Sequence, residues 1–130
     1  MNPLTLEWVN KAEGDFASAG RELRARKDPN YDSACFHAQQ CAEKYIKARL
    51  VEVNIPYRRS HDLLMLLSLI LPIEPTWQSI VPQLTVLTTF AVDYRYPGMT
   101  ADKAIAKQAY VCCGEVRQLI RGALTLRIDR

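Results

Sequence analysis

The sequence from Tyr31 to Val53 reads YDSACFHAQQCAEKYIKARLVEV, and its pattern indicates how the chain folds. Small and apolar residues recur along it every three or four positions, which is the spacing of an amphipathic helix of about six turns. Much of this stripe is Ala and Cys, so neighbouring helix backbones can approach it closely. The pattern therefore predicts the central helix of a bundle, buried through Tyr31, Ala34, Cys35, Ala38, Cys41, Ala42, Tyr45, Ile46 and Leu50.

The opposite face of this helix is polar, and two interpretations of it stay open. In the first, Glu43 and Lys47 form an i,i+4 ion pair of small stabilising value on a solvated surface. In the second, the polar side chains line a cleft that later loops complete. The residues of this face are Gln39, Gln40, Glu43, Lys44 and Lys47.

His37 lies at the edge of that face, one turn before Cys41. The two side chains share one side of the helix, but no further metal ligand lies within reach in the sequence. A hydrogen-bonded core histidine is therefore favoured, and neither a metal site nor a cofactor is predicted. The cysteines lack zinc-type spacing and the spread of a disulfide framework, so reduced thiols in a core are expected at Cys35, Cys41, Cys112 and Cys113.

Length and charge limit the class of protein. The chain has 130 residues, which suits a single domain spanning residues 1–130. Its net charge of +3 permits contact with nucleotides or RNA but is small for a dedicated nucleic-acid-binding domain. The N-terminus lacks a charged leader followed by an apolar core, and no apolar run approaches about 18 residues. The sequence thus predicts a cytoplasmic protein with no membrane partner.

The rest of the apolar periodicity predicts four further helices separated by turns rich in Pro. The first begins near Leu4, a short third helix follows Ser60 as its cap, and the fourth begins late or kinks at Pro82. The last helix spans about residues 101–126 behind a Thr100 cap. The prediction is an all-α, up-and-down bundle of about five helices with two long central helices, the second and the last.

Basic residues cluster at the C-terminal end of the first helix and along the last helix. The first cluster complements the helix dipole and is interpreted as a solvated helix end rather than an anion site; it consists of Arg21, Arg24, Arg26 and Lys27. The last helix is predicted to turn its charged residues outward, namely Lys103, Lys107, Glu115, Arg117 and Arg121.

Two loops carry residues suited to chemistry. The first has Arg58 and Arg59 before His61, which is interpreted either as part of a helix-capping segment or as an acid–base group. The second, DYRYPG at residues 93–98, places Arg95 between two tyrosines. Arg95 can grip a phosphate or stack on a base, or it can pair with a carboxylate, namely Asp93, Asp62 or Glu43.

The segments FHAQQCAEKYIKA, SHDL and DYRYPG stand in an order that resembles HEPN domain proteins of the small stand-alone prokaryotic type, found beside minimal nucleotidyltransferases. The resemblance covers almost the whole chain. It implies an all-α bundle that is frequently a homodimer, with a role in nucleotide binding or RNA cleavage and a nucleotidyltransferase as partner. The ribonuclease branch of that family carries Arg followed after four to six residues by His, and here Arg58 and Arg59 stand too close to His61 for that motif.

Three hypotheses follow. The first is a non-enzymatic protein that binds a nucleotide or a nucleotidyltransferase partner in a two-gene, toxin–antitoxin-like system, through Glu43, Lys44, Lys47, His61, Asp62 and Arg95. The second is an RNA-cleaving toxin with a displaced motif, in which Arg59 and His61 are the catalytic candidates, aided by Arg95. The third is a purely structural dimeric scaffold, in which the same polar residues only fasten the loops.

Overall fold

The computed structural model describes residues 1–127 and consists of five α-helices, with no β-strand in that range. A short 3₁₀ helix, Pro75–Ile80, precedes the fourth, which begins late with Pro82 in its first turn, as predicted. No helix of these residues is long and apolar enough to cross a membrane. The predicted all-α bundle is confirmed; its helices are α1 (Pro3–Arg24), α2 (Tyr31–Glu52), α3 (Leu63–Ile70), α4 (Val81–Asp93) and α5 (Lys103–Ala123).

The helix α2 lies at the centre of the bundle and packs against α1, α3, α4 and α5. Its stripe of Ala and Cys is buried, as predicted. Its polar side is enclosed too, since Gln39, Glu43 and Lys47 are only 4%, 2% and 5% exposed. The interpretation of Glu43 and Lys47 as an ion pair on a solvated surface is therefore wrong. Trp8 of α1 and Tyr57 of the loop after α2 lie beside Lys47, and the same loop contacts Glu43 through His61.

Three long helices form the body of the bundle, and they include the two that were predicted to be central, α2 and α5. With 22 residues each, α1 and α2 are equally long and form a helical hairpin. The helix α5 packs against α2, as predicted, and also against α1 and α4. Arg117 of α5 was predicted to face outward, and this prediction is wrong: the residue is 4% exposed and lies on the inner face with Cys113 and Ile120.

The start of α3 differs from the prediction in its capping residue. The helix begins at Leu63, and Asp62 caps it by accepting a hydrogen bond from the backbone N–H of Met65 at 3.1 Å. Ser60 instead accepts a hydrogen bond from the backbone N–H of Asp62 at 3.0 Å. A carboxylate at this position satisfies an unpaired helical N–H and interacts favourably with the helix dipole. Asp62 therefore has a structural role in this loop.

The start of α5 also lies further along the chain than predicted. The helix begins at Lys103, and Asp102 caps it through a hydrogen bond of 2.9 Å to a first-turn N–H. The backbone N–H of Ala101 donates to Asp32 at 2.7 Å, which ties this segment to the start of α2. Because that bond holds Ala101 outside the helix, Thr100 cannot cap α5. The loop between α4 and α5 is thereby fixed at the N-terminal end of α2.

Candidate functional site

The Glu43 carboxylate joins the central helix to the loop before α3. Its Oε2 accepts a hydrogen bond from Lys47 Nζ at 2.9 Å, and its Oε1 lies 2.9 Å from Nδ1 of His61. The Glu43 and Lys47 side chains are 3% and 6% exposed, whereas the His61 side chain is 76% exposed. One buried carboxylate thus holds an exposed imidazole ring on one side and a buried ammonium group on the other.

Two glutamines fix the backbone that carries His61. Gln39 Nε2 donates to the backbone carbonyl of His61 at 3.2 Å and lies 3.3 Å from Glu43 Oε1. Gln40 Nε2 in turn donates to Gln39 Oε1 at 2.8 Å. Since the carboxylate accepts from Nδ1, the second ring nitrogen, Nε2, is left for solvent or a ligand. Side chains of α2 therefore set both the position and the orientation of the ring.

Lys47 is a buried cation whose surroundings are aromatic. Its Nζ lies 5.3 Å from the centroid of the Trp8 ring and 5.8 Å from that of Tyr57, distances at which the ring faces attract a positive charge. With Glu43 as its ion-pair partner, the ammonium group is stabilised although it is withdrawn from water. Lys47 thus acts on the His61 loop through Glu43 and Tyr57.

Two arginines adjoin His61 in the same loop. Arg58 and Arg59 line a surface depression of about 310 Å³ together with Ser60 and Met65. Both arginines are exposed, and no ion pair within residues 1–127 involves either of them. The surface formed by Arg58, Arg59, Ser60, His61 and Met65 is called the His61 surface below. It offers two guanidinium groups and one imidazole nitrogen to a ligand.

The other predicted site residues lie elsewhere. Lys44 turns toward α1, where its Nζ lies 2.5 Å from Asp15 Oδ2, and His37 Nδ1 lies 2.8 Å from the other oxygen of the same carboxylate. His37 is thus hydrogen-bonded, as predicted, but only partly buried. Arg95 is exposed in the loop between α4 and α5, and Ala101 of that loop bonds to Asp32, roughly 16 Å along α2 from Glu43. The structure brings Glu43, Lys47 and His61 together and leaves Lys44 and Arg95 outside.

A second polar cluster, which is partly buried, was missed in the sequence. Glu13 of α1 accepts two hydrogen bonds from Arg117, at 2.7 and 2.8 Å, and one from the hydroxyl of Tyr45. Arg121 donates to the same hydroxyl at 3.0 Å. Arg117 follows Cys113 by four positions, and this spacing is the sequence signal that places it on the inner face. The cluster joins α1, α2 and α5.

The pKa of Glu13 reflects opposing effects. Burial raises the pKa of its carboxyl group, but hydrogen bonds from Arg117 and Tyr45 and the charges of Arg117 and Arg121 lower it more, so the net shift is downward. Burial and the hydrogen bond to Glu13 raise the pKa of the Tyr45 hydroxyl. Tyr45 therefore stays protonated and serves as a donor to Glu13.

The cysteines pack as small apolar residues. Cys35, Cys41 and Cys113 are buried, and none of the four is in a disulfide. Burial, with a smaller contribution from the charge of Asp32, raises the pKa of the Cys35 thiol to about 11, which keeps it protonated at neutral pH. Within residues 1–127 no group of three or more His, Cys, Asp or Glu side chains is arranged to hold a metal ion.

These features define an all-α bundle whose central helix presents a carboxylate–histidine pair beside a basic loop. The HEPN domain family model matches the chain over residues 5–123, and the chain therefore belongs to the HEPN domain family. Among solved structures it is similar to an archaeal HEPN homologue, with 23% sequence identity, a TM-score of 0.71, and coverage of 92% of this chain and 97% of that chain. At that identity the likeness shows the fold alone. No curated protein matches the chain significantly in sequence.

Proposed function

We propose that the protein binds a nucleotide at the His61 surface, without performing chemistry on it. The observation that carries this proposal is the exposed His61 ring, whose Nδ1 is held by the buried Glu43 carboxylate. Arg58 and Arg59 line the adjoining depression. Guanidinium groups bind phosphate oxygens in a bidentate manner, and the outward Nε2 of His61 supplies a further hydrogen-bonding group. A phosphate group in the depression meets the two arginines, and His61 follows them in the same loop.

The proposal divides the predicted site residues by role. His61 contacts the ligand, together with Arg58 and Arg59, while Glu43 and Lys47 hold the loop that carries them. Asp62 shapes the loop as the cap of α3. Lys44 and Arg95, which lie elsewhere, are not needed for the contact.

Calorimetric titration of AMP, ADP, ATP and GTP into the purified protein tests the proposal. We expect binding that weakens by about tenfold or more in the Arg58→Ala/Arg59→Ala double variant, because each guanidinium–phosphate contact contributes about 1.5–3 kcal/mol. His61→Ala should weaken binding in the same direction. Arg21→Ala removes an exposed arginine of α1 and serves as the control. Nucleotide affinity equal to that of the wild type in all these variants would exclude the His61 surface as the binding site.

RNA cleavage is the second candidate function, and one observation favours it. A carboxylate that orients an imidazole through Nδ1 leaves Nε2 placed to accept or donate a proton, and Arg59 can stabilise charge on a phosphate beside it. Mixed RNA incubated with the wild type and with His61→Ala, prepared in parallel, separates the two functions. Cleavage that disappears reproducibly in His61→Ala would replace the binding role with an enzymatic one.

We also propose that the protein is a cytoplasmic homodimer whose partner is a minimal nucleotidyltransferase. Exposed apolar side chains in and next to the loop between α4 and α5 support an interface there: Val92, Tyr96 and Met99 are 55%, 63% and 51% exposed. Light scattering after size-exclusion chromatography measures the oligomeric state directly. A monomer at about 100 μM would exclude the homodimer, since a dimer of typical affinity is almost fully formed at that concentration. A nucleotidyltransferase gene beside the gene for this chain would support the partner.

The scaffold alternative makes the opposite prediction for the nucleotide titration only. It requires no heat of binding with any nucleotide, and it shares the dimer, which should be unchanged in Arg95→Ala. In that case the Glu43–His61 contact would only fasten the loop before α3 to the central helix.

A further inference from the structure

A second basic depression lies at the end of the bundle where α1 ends and where α2 and α5 begin. Its volume is about 680 Å³, and its lining contains four cationic side chains and no carboxylate. The cations are Arg24 and Arg26, at and just after the end of α1, and Lys103 and Lys107 of α5; Tyr31, the first residue of α2, also lines the depression. Tyr31 precedes Glu43 by roughly 18 Å along α2, so this depression is separate from the His61 surface.

The stability of the helices explains only part of the positive charge around this depression. Arg24 stands in the last turn of α1, where a cation interacts favourably with the negative end of the helix dipole. Lys103 is the first residue of α5, where the dipole is positive and a cation is unfavourable. The first turn of α5 contains no acidic residue, and the acidic group at this end of the helix is the capping carboxylate of Asp102. Helix stability therefore does not favour a cation at Lys103, whereas a bound anion would.

Of the carboxylates near in sequence, Asp28 is exposed and does not line the depression, and three others are occupied by other contacts. Glu22 accepts a hydrogen bond from the backbone N–H of Asn30 at 3.2 Å. Asp32 accepts from the N–H of Ala101 at 2.7 Å, and Asp102 caps α5. No ion pair within residues 1–127 involves a cation that lines the depression. All four cations are exposed and available to a ligand.

We propose that this depression binds a compact oligophosphate group of two or three linked phosphates. Its volume lies within the range of about 300–1,000 Å³ that small-ligand pockets occupy. The four cations come from two sides of one concave surface, which suits a compact anion of several charges. The group can belong to a nucleoside di- or triphosphate or to a free inorganic anion, since the cations recognise the phosphates alone. This site is independent of the nucleotide proposed for the His61 surface.

Calorimetric titration with inorganic tripolyphosphate, ATP and adenosine tests the proposal. We expect tripolyphosphate and ATP to bind and adenosine not to bind at this site. Tripolyphosphate affinity should fall by about tenfold or more in Lys103→Gln/Lys107→Gln and in Arg24→Gln/Arg26→Gln, and should weaken as salt is raised. The titrations are made in an Arg58→Gln/Arg59→Gln background, which removes the guanidinium groups of the His61 surface. The matched control in that background, Lys11→Gln/Arg21→Gln, loses the same charge from exposed positions of α1 and should change this affinity by less than about twofold. Thermal melting confirms that each variant folds.

Three results would overturn the proposal. The first is no tripolyphosphate binding at about 1 mM, the weak limit of useful affinity. The second is an equal loss of affinity in the control variant, which would show an effect of net charge alone. The third is a short single-stranded RNA without a terminal triphosphate that binds more tightly than tripolyphosphate, which would indicate a nucleic-acid surface. The nucleotide site at His61 is assessed by different variants, so either proposal can fail while the other stands.

Discussion

Replacing Glu43 by Ala is expected to lower the free energy of unfolding by about 3–5 kcal/mol, which is the typical cost of breaking a buried ion pair. The variant leaves the Lys47 ammonium group without its carboxylate at a position only 5% exposed. It also removes the partner that holds His61 Nδ1. Urea denaturation followed by circular dichroism measures the loss.

Two further variants separate the buried pair from the loop. His61→Ala should change the free energy of unfolding by no more than about 0.5 kcal/mol, because the side chain is 76% exposed. The double variant Glu43→Leu/Lys47→Leu should recover most of the loss seen in Glu43→Ala, since apolar residues of similar volume often replace a buried ion pair without cost. A double variant as unstable as Glu43→Ala would instead assign the loss to the contacts with His61 and Gln39.

The apolar pattern of α2 predicted its central position but not the burial of its polar face. Periodicity identifies the side of a helix that must be buried, and it is silent about the other side. Here α1 and the loop at Tyr57 cover that other side, which depends on contacts between distant parts of the chain. The i,i+4 spacing of Glu43 and Lys47 predicts an ion pair, but it does not show whether that pair is exposed to solvent or buried. Only the packing of Trp8 and Tyr57 decides between them.

The candidate site was predictable to a similar extent. The expected meeting of Glu43 with the loop at His61 is present, because the chain after α2 returns across the polar face of that helix. The loop of Arg95 was grouped with this site on composition alone, but Asp32 holds the following segment at the other end of α2. A cation that substitutes for an apolar residue in a buried stripe is equally hard to recognise, and Arg117 is such a case. Its spacing fits the inner face, while its charge suggested the outer one.

Replacing Arg117 by Met is expected to lower the free energy of unfolding by about 2–4 kcal/mol. The change removes both hydrogen bonds to Glu13, and the lower bound allows for a Glu13 side chain that is still 33% exposed. It also removes a guanidinium group that lies 4.6 Å from the centroid of the Phe16 ring. Chemical denaturation at neutral pH measures the loss. Lys107→Met removes the same charge from an exposed position of α5 and should change stability by less than about 0.5 kcal/mol.

The pH dependence of the stability lost in Arg117→Met identifies the cause of that loss. Because the pKa of Glu13 is lowered in the folded protein from its ordinary value of 4.5, its contribution to stability is complete above that value and is lost as the pH falls through the folded pKa. In Arg117→Met, the guanidinium no longer offsets the burial of the Glu13 carboxyl group. Protonation of Glu13 therefore costs the variant less stability than it costs the wild type. The gap in stability between wild type and variant should therefore narrow below about pH 4.5. A gap that stays constant between about pH 3 and pH 7 would assign the loss to the packing of Arg117 on Phe16 rather than to its charge.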